Sequence, residues 1–316
     1  MIKVSVCTVT YNHAPFIAQA IESVLMQRRP GLEIEMIIGE DVSTDNTRSI
    51  VADYAQRYPE IIKPIFHEKN VGPGYNSLAC LNACTGEFIA ALEGDDYWTD
   101  PYKLQKQVDF LKAHPDYTLC FHNVRIEKAG VIGNTLYNSP NQATTTSVID
   151  LAIRNYIATV SCVYRRVLTE IPAWFAVVPA GDLSLSMMHA RQGKIGYLPD
   201  VMAVYREHAQ SSWQSKSTFY KETNLFKTIT FLLPEFDGPV HEQLVSSQLA
   251  ALQVALADEE ASVTDKSGFL AANAQEIQYL LSQVQPQFEQ QRIKTKSLEH
   301  RIVSTFVEPL RNILNR

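Results

Sequence analysis

Phe88-Ile89-Ala90-Ala91-Leu92-Glu93-Gly94-Asp95-Asp96 is a short apolar run, the length of a buried strand, that stops on three carboxylates within four residues. Gly94 gives the turn freedom or lets another backbone approach closely. Carboxylates packed this tightly repel, and burying them raises their pKa values at an energetic cost that a divalent cation with oxygen ligands relieves. Read alone, the same residues also suit a solvated acidic turn ahead of a helix starting near Pro101, with Asp100 as its cap.

Outward from this run the chain alternates β-rich and helical patterns. Val4 to Thr10 reads as a strand, and Ile17, Ile21, Val24 and Leu25 give a helical face after Pro15. A strand at Ile34 to Ile38, a helix over 45–57 capped by Ser43 or Asp45, a strand at Ile61 to Phe66 and a helix near 74–84 follow. This order predicts an α/β fold with a Rossmann-like, mostly parallel sheet flanked by helices. Ligands in such sheets bind beyond the carboxyl ends of the strands, so Thr10-Tyr11-Asn12, Gly39-Glu40-Asp41 and Glu93-Gly94-Asp95-Asp96 are expected to share one crevice.

Beyond the acidic run, Leu104, Val108 and Leu111 predict a helix over 101–113, and Tyr117 to Val124 and Tyr156 to Tyr164 read as strands joined through a polar connection at 137–147. After Trp213 the character becomes helical, at 215–233, 240–258 and 268–283, broken at Pro234-Glu235-Phe236-Asp237-Gly238-Pro239. The predicted division is an α/β domain at 1–214 and an α-helical region at 215–316.

Composition narrows the function classes. A net charge of −6 and the lack of a clustered basic patch in the first 290 residues argue against nucleic acid as a partner. No apolar run approaches the ~20 residues of a membrane-spanning helix, and Met1-Ile2-Lys3-Val4 enters a strand pattern directly, so the expected location is cytoplasmic. Cys7, Cys80, Cys84, Cys120 and Cys162 are odd in number and lack paired spacing, and read as reduced, mostly buried thiols. A nicotinamide-dependent oxidoreductase would share the sheet, but no GxGxxG follows the first strand.

Four segments taken in order resemble the motifs of glycosyltransferase family 2: Val4-Ser5-Val6-Cys7-Thr8-Val9-Thr10-Tyr11-Asn12-His13, Ile38-Gly39-Glu40-Asp41-Val42-Ser43-Thr44-Asp45-Asn46-Thr47, Asn70-Val71-Gly72, and Leu92-Glu93-Gly94-Asp95-Asp96-Tyr97-Trp98. The resemblance covers about residues 2–210. It implies a GT-A fold and an inverting, metal-dependent transfer of sugar from a nucleotide-sugar, in bacterial members that build cell-surface polysaccharides or lipid-linked glycans. Donor-binding residues carried over by position are Thr10, Tyr11, Asn12, Asp41, Asn70, Glu93, Gly94, Asp95, Asp96 and Arg206. Asp41 falls at the nucleotide base, where a carboxylate can accept the uracil imide N–H, which favours a UDP-sugar. Its alternative is an Asx-turn or helix cap within Glu40-Asp41-Val42-Ser43-Thr44-Asp45.

For Mn²⁺ or Mg²⁺ the resemblance implies Asp95 as principal ligand, with Asp96 and with His208 from Val204-Tyr205-Arg206-Glu207-His208. Arg206 is then expected near the pyrophosphate, and His13 near the crevice without an assigned role. Glu93 stands where the family commonly has Asp. In Pro179-Ala180-Gly181-Asp182-Leu183-Ser184, Asp182 occupies the position of the catalytic base, and Gly181 replaces the Glu that usually precedes it. Without the resemblance, Asp182 would read as the N-cap of a helix at 182–191. Tyr97 and Trp98 fit either a sugar-pocket wall or core packing. Between 292 and 316, basic residues and Leu298, Ile302, Phe306, Leu310 and Leu314 at helical spacing suit either an anionic membrane surface, where lipid-linked acceptors lie, or packing against helices or a second subunit. The departures at Glu93 and Gly181 motivate an alternative: a catalytically inactive sugar-nucleotide-binding partner in a glycan assembly complex.

Overall fold

The computed structural model describes residues 1–28, 30–208 and 216–292, with side chains of the last helix to Val284. The expected basic tail after Arg292 lies outside the described residues. The chain divides into two compact units, Met1–Ser215 and Lys216–Arg316.

The first unit is built on a sheet whose path begins with β3 (Ile62–Phe66), β2 (Leu32–Glu40), β1 (Ile2–Thr10) and β4 (Phe88–Ala91), all parallel. Between them run α1 (Ile17–Leu25), α2 (Thr47–Arg57) and α3 (Pro73–Ala83). β2 is buried at eight of its nine positions, as expected for a parallel strand covered on both faces. In α1, Ile17, Ala20, Ile21 and Val24 are buried at helical spacing and join Val4, Val6, Ile34, Met36, Ile38, Phe88 and Ala90 in the core.

Past β4 the sheet turns mixed. The short β5 (Tyr97–Trp98) and α4 (Lys103–Ala113) precede β6 (Tyr117–Lys128), β7 (Val131–Leu136), β8 (Thr145–Thr146) and α5 (Val148–Ile153). β9 (Val163–Arg165), α6 (Gly181–Ala190) and β10 (Lys194–Glu207) complete the unit. β9 runs antiparallel between β4 and β6, β10 lies parallel to β6, and β5 pairs antiparallel with β10. The strand predicted at Tyr156 to Tyr164 is shorter: a 3-10 turn at Thr159–Ser161 delays pairing to Val163. The turn is fixed locally, as the Ser161 hydroxyl donates to the Ala158 carbonyl at 2.6 Å.

The second unit contains α7 (Thr218–Leu232), α8 (Gly238–Ala257), α9 (Val263–Ala272) and α10 (Ala274–Arg292). Phe226, Ile229, Leu232, Leu244, Val245, Ala251 and Leu252 are buried in it. The single helix predicted at 268–283 is two, parted at Asn273, whose side chain donates to the Phe269 carbonyl at 2.7 Å and terminates α9. Among the described residues no helix is long and apolar enough to cross a membrane.

Candidate active site

Strand register brings the motifs together. Thr10 stands opposite Glu40, and Cys7 opposite Ala91, so β1, β2 and β4 end at one rim. The acidic turn is tied to β1 by Gly94 N–H donating to the Val9 carbonyl at 3.0 Å. A Cβ on Gly94 would lie 2.6 Å from Thr10 Oγ1, so glycine is required for this approach.

The loops after β1 and β2 are laced to each other. Asn12, at φ 56°, receives Thr44 N–H on Oδ1 at 2.8 Å, while its own N–H donates to Ser43 Oγ at 2.9 Å. Asp45 accepts Ala14 N–H at 3.0 Å and Thr47 N–H at 2.9 Å, binding the start of α2 to the same rim. Tyr11 is exposed and Thr10 buried there. Asp41 is 2% exposed, and its two carboxylate oxygens accept Val71 N–H at 2.7 Å and Gly72 N–H at 2.9 Å. Asn70 donates its amide to the Asp41 carbonyl at 2.9 Å. Asp41 thus holds the Asn70–Gly72 turn, and each carboxylate oxygen keeps a second lone pair.

The acidic residues are not equivalent. Glu93 is partly buried and pushed up to about 8, by burial first and then by the charges of Asp95 and Asp182. Asp95 also pays for burial, but the His208 hydrogen bond and the His13 charge outweigh that cost and hold its carboxyl below the ordinary value. His208 Nε2 lies 3.0 Å and His13 Nε2 3.7 Å from the same oxygen, Asp95 Oδ2. Burial lowers His13. Asp96, 1% exposed, is raised well above the carboxylate range by burial and its acidic neighbours. Its Oδ1 accepts Arg206 N–H at 2.8 Å.

β10 supplies the other wall. Antiparallel pairing of Val204 with Tyr97 sets Arg206 beside Asp96 and carries the chain to His208. Arg206 donates to the Asp95 carbonyl at 2.8 Å, to Glu127 at 3.2 Å and to Gln19, with its guanidinium 4.3 Å from the Tyr97 ring and 5.1 Å from Phe16. The guanidinium is therefore committed within the protein. Tyr97 and Trp98 are both buried, and Trp98 donates to the Val160 carbonyl at 3.0 Å, which is core packing.

Asp182 is the second residue of α6, whose N-cap position is Ala180. Its Oδ2 accepts the Asn155 amide at 3.1 Å. Burial raises its pKa, opposed by the Leu183 N–H and by Asn155. Glu93 feels the charges of both Asp95 and Asp182, and Tyr137 feels that of Asp182.

Asp95 and His208 form a donor pair suited to a divalent cation, because a carboxylate oxygen and an imidazole nitrogen stand 3.0 Å apart. Among the described residues no three His, Cys, Asp or Glu side chains are grouped to hold a metal. Asp96, turned to the Arg206 backbone, does not join this pair through Oδ1. The five thiols are free, four of them buried.

The model of Glycosyl transferase family 2 matches residues 5–171. The chain belongs to glycosyltransferase family 2. This family 2 chain is 41% identical over 216 residues to the uncharacterised protein Rv1520 of Mycobacterium tuberculosis, a stretch that covers 68% of this chain and 61% of the relative. It thus spans about three-fifths of that relative's length. Staphylococcus aureus TarS residues 1–349, solved with UDP-GlcNAc, superposes with a TM-score of 0.62 at 18% identity, covering 88% of this chain and 81% of that one. The mannosyltransferase PcManGT of Pyrobaculum calidifontis, solved with GDP-Man and Mn²⁺, gives 0.56 at 19% identity, covering 86% and 79%. The sheet and flanking helices are those of the GT-A fold.

The family match ends before α6, so Asp182, Arg206 and His208 of this family 2 chain lie outside it. Sequence reading did not reach Asn155, Tyr137, Glu127 or Gln19. None stands in a motif: Gln19 comes from α1, Glu127 from β6, Tyr137 from just past β7 and Asn155 from the loop after α5, each brought in by long-range packing.

Proposed function

We propose that this family 2 glycosyltransferase is an inverting enzyme that transfers sugar from a nucleotide-sugar, a UDP-sugar in preference, to a glycan or lipid-linked hydroxyl. What carries the reading is the Asp95–His208 pair next to Glu93, which feels the charges of both Asp95 and Asp182. A donor lying along the crevice would present its diphosphate to Asp95 and its anomeric carbon toward Asp182. TarS with UDP-GlcNAc supports a uridine donor, and PcManGT with GDP-Man and Mn²⁺ supports a cation.

In this reading Asp182 accepts the proton of the acceptor hydroxyl as it attacks. Burial raises its pKa, which strengthens it as a base. Asp41 fixes the Asn70–Gly72 turn as one wall of the nucleoside site and offers its remaining lone pairs to the uracil imide. Thr10, Tyr11 and Asn12 form the opposing wall. Arg206 acts as a staple that holds Asp95 and Asp96 in place. Asp95 and His208 would hold a Mn²⁺ or Mg²⁺ ion, which when bound neutralises the charge of the leaving diphosphate. Residues 1–214 form the catalytic domain in this proposal.

Thermal stabilisation by a panel of UDP- and GDP-sugars, with and without Mn²⁺, identifies the donor by linkage. Transfer to a glycan or lipid extract is then measured for Asp95→Ala and Asp182→Ala. Both should abolish transfer, and only the first should weaken nucleotide binding. Full activity in both variants would end the assignment. Metal-dependent binding without hydrolysis or transfer would favour the inactive binding partner.

A further inference from the structure

Gly181 brings no side chain to the orientation of Asp182, and a Cβ at 181 would meet the Phe175 ring at 3.4 Å. The partner that Asp182 does have comes from elsewhere in the chain. Asn155 donates Nδ2–H to Asp182 Oδ2 at 3.1 Å, and its Oδ1 accepts Ile157 N–H at 3.1 Å. The second bond settles which end of the amide faces the carboxylate. A backbone N–H can only be met by the oxygen, so the NH₂ group is left for Asp182.

The backbone around Asn155 is fixed on both sides. α5 is held at its start by a capping box between Ser147 and Asp150, and at its end Arg154 N–H donates to the Asp150 carbonyl at 3.3 Å. Just beyond, the Asn138 amide donates to the Tyr156 carbonyl at 2.7 Å, and Tyr156 OH donates to Thr146 Oγ1 at 2.6 Å. Asn155 itself is exposed to the crevice, while its backbone is set by this scaffold.

We infer that Asn155 is the positioning residue of Asp182, aiming its carboxylate and favouring the charged form that accepts a proton. The inference rests on the proposed role of Asp182 as base. The other groups facing Asp182 are Glu93 from the turn after β4, Tyr137 after β7, and Cys162 and Tyr164 at β9, each of which feels its charge. None is a cation at neutral pH in its ordinary state. The Leu183 N–H, the amide of Asn155 and Asp182's own N–H favour the carboxylate over the acid, and Asn155 is the one side chain among them.

The test follows Asp182 by carbon-13 NMR of its carboxyl carbon in the ligand-free full chain, assigned by difference against Asp182→Asn. Asn155→Ala should raise the Asp182 midpoint by roughly half to one pH unit, the size expected of one charge-assisted bond in a solvent-facing site. Asn155→Asp keeps the acceptor for Ile157 N–H, and hence the local turn, but sets a second carboxylate against Asp182. Its midpoint should rise further than that of Asn155→Ala. With the donor identified by thermal shift, both variants should lose about ten-fold or more in kcat at neutral pH with little change in donor KM.

A merely structural Asn155 would leave the Asp182 midpoint in Asn155→Ala at the parent's value, and that result would overturn the inference. An unmoved midpoint in both variants would do the same. The base assignment fails separately, by full transfer activity in Asp182→Asn, whatever the Asn155 variants do.

Discussion

His208 Nε2 lies 3.0 Å from Asp95 Oδ2, joining residues 113 positions apart in the chain through the antiparallel contact of β5 with β10. A hydrogen-bonded His–carboxylate pair is a donor set that a divalent cation can take over, with the diphosphate completing its shell. His208→Ala and Asp95→Asn should therefore each weaken UDP binding in Mn²⁺ by about ten-fold or more, the lower end of what lost ligation costs. In EDTA the variants should bind UDP as the parent does. Isothermal titration under both conditions checks this, and equal losses with and without metal would remove the cation from the account.

Glu93 supplies a prediction with a definite sign. Its pKa is about 8 in the folded protein, against an ordinary 4.5. Between those values the folded state keeps a proton that the unfolded chain has released, so this group makes stability fall as pH rises through that window. Glu93→Gln cannot titrate and keeps a similar shape. In ligand-free, metal-free protein its Tm should match the parent near pH 5 and exceed it increasingly toward pH 8. A Tm difference that stays constant over this range would show that Glu93 is ionised throughout.

Lys103 titrates in the opposite sense. It is fully buried with Nζ 3.9 Å from the Trp98 ring centre, and burial lowers its pKa to about 7. The unfolded chain keeps its proton up to about 10.5, so the stability lost to burying the amine is greatest below pH 7 and is regained as pH rises toward 10.5. Lys103→Met, close in length, should raise Tm most at pH 6 and least at pH 10. Melting curves across this range decide it, and a larger gain at pH 10 than at pH 6 would contradict the sign.

The sequence made the rim of the crevice readable because its residues are contiguous with strand ends. Val4–Thr10, Ile34–Ile38 and Phe88–Leu92 are β-rich runs, and the residues just past them have nowhere to go but the carboxyl edge of the sheet. β10 was not readable as a strand. Leu198-Pro199-Asp200 reads as a turn, and the structure absorbs it as an irregularity in register between Leu198 and Val201 within one long strand. Arg206 was visible as a residue, but its stacking between Tyr97 and Phe16 and its bonds to Gln19 and Glu127 depend on that strand. Asn155 carried no local signal at all, since its partner is 27 residues away.

That enclosure makes Arg206 a stability determinant. It is 7% exposed, paired with Glu127 and placed over two aromatic rings. Arg206→Ala leaves the Glu127 carboxylate with only the 3.5 Å bond from the Tyr97 hydroxyl and removes the stacking, which should cost about 3 kcal/mol in urea unfolding. Arg206→Lys should recover little of this, because an ammonium cannot make the planar, multiply bonded contact. Recovery of most of the stability by lysine would mean that charge alone matters there.

The close approach of the acidic turn to β1 gives a steric test. A Cβ on Gly94 would lie 2.6 Å from Thr10 Oγ1, 2.8 Å from Thr10 Cβ and 3.0 Å from His13 Nδ1. The neighbouring backbone is held by the Gly94 N–H bond to Val9, so the added methyl has to push the acidic turn away from β1. Gly94→Ala should cost about 1–3 kcal/mol, the usual range for overpacking. It should also lower kcat/KM by more than ten-fold, because displacement of Asp95 moves a group that must meet the donor within a fraction of an ångström. Gly133 on β7 is the control: its Cβ would meet nothing nearer than 3.7 Å, and Gly133→Ala should leave kcat/KM unchanged. Parent-like kcat/KM in Gly94→Ala would show that the turn can move without consequence, and the close packing of the acidic turn on Thr10 would lose its role in catalysis.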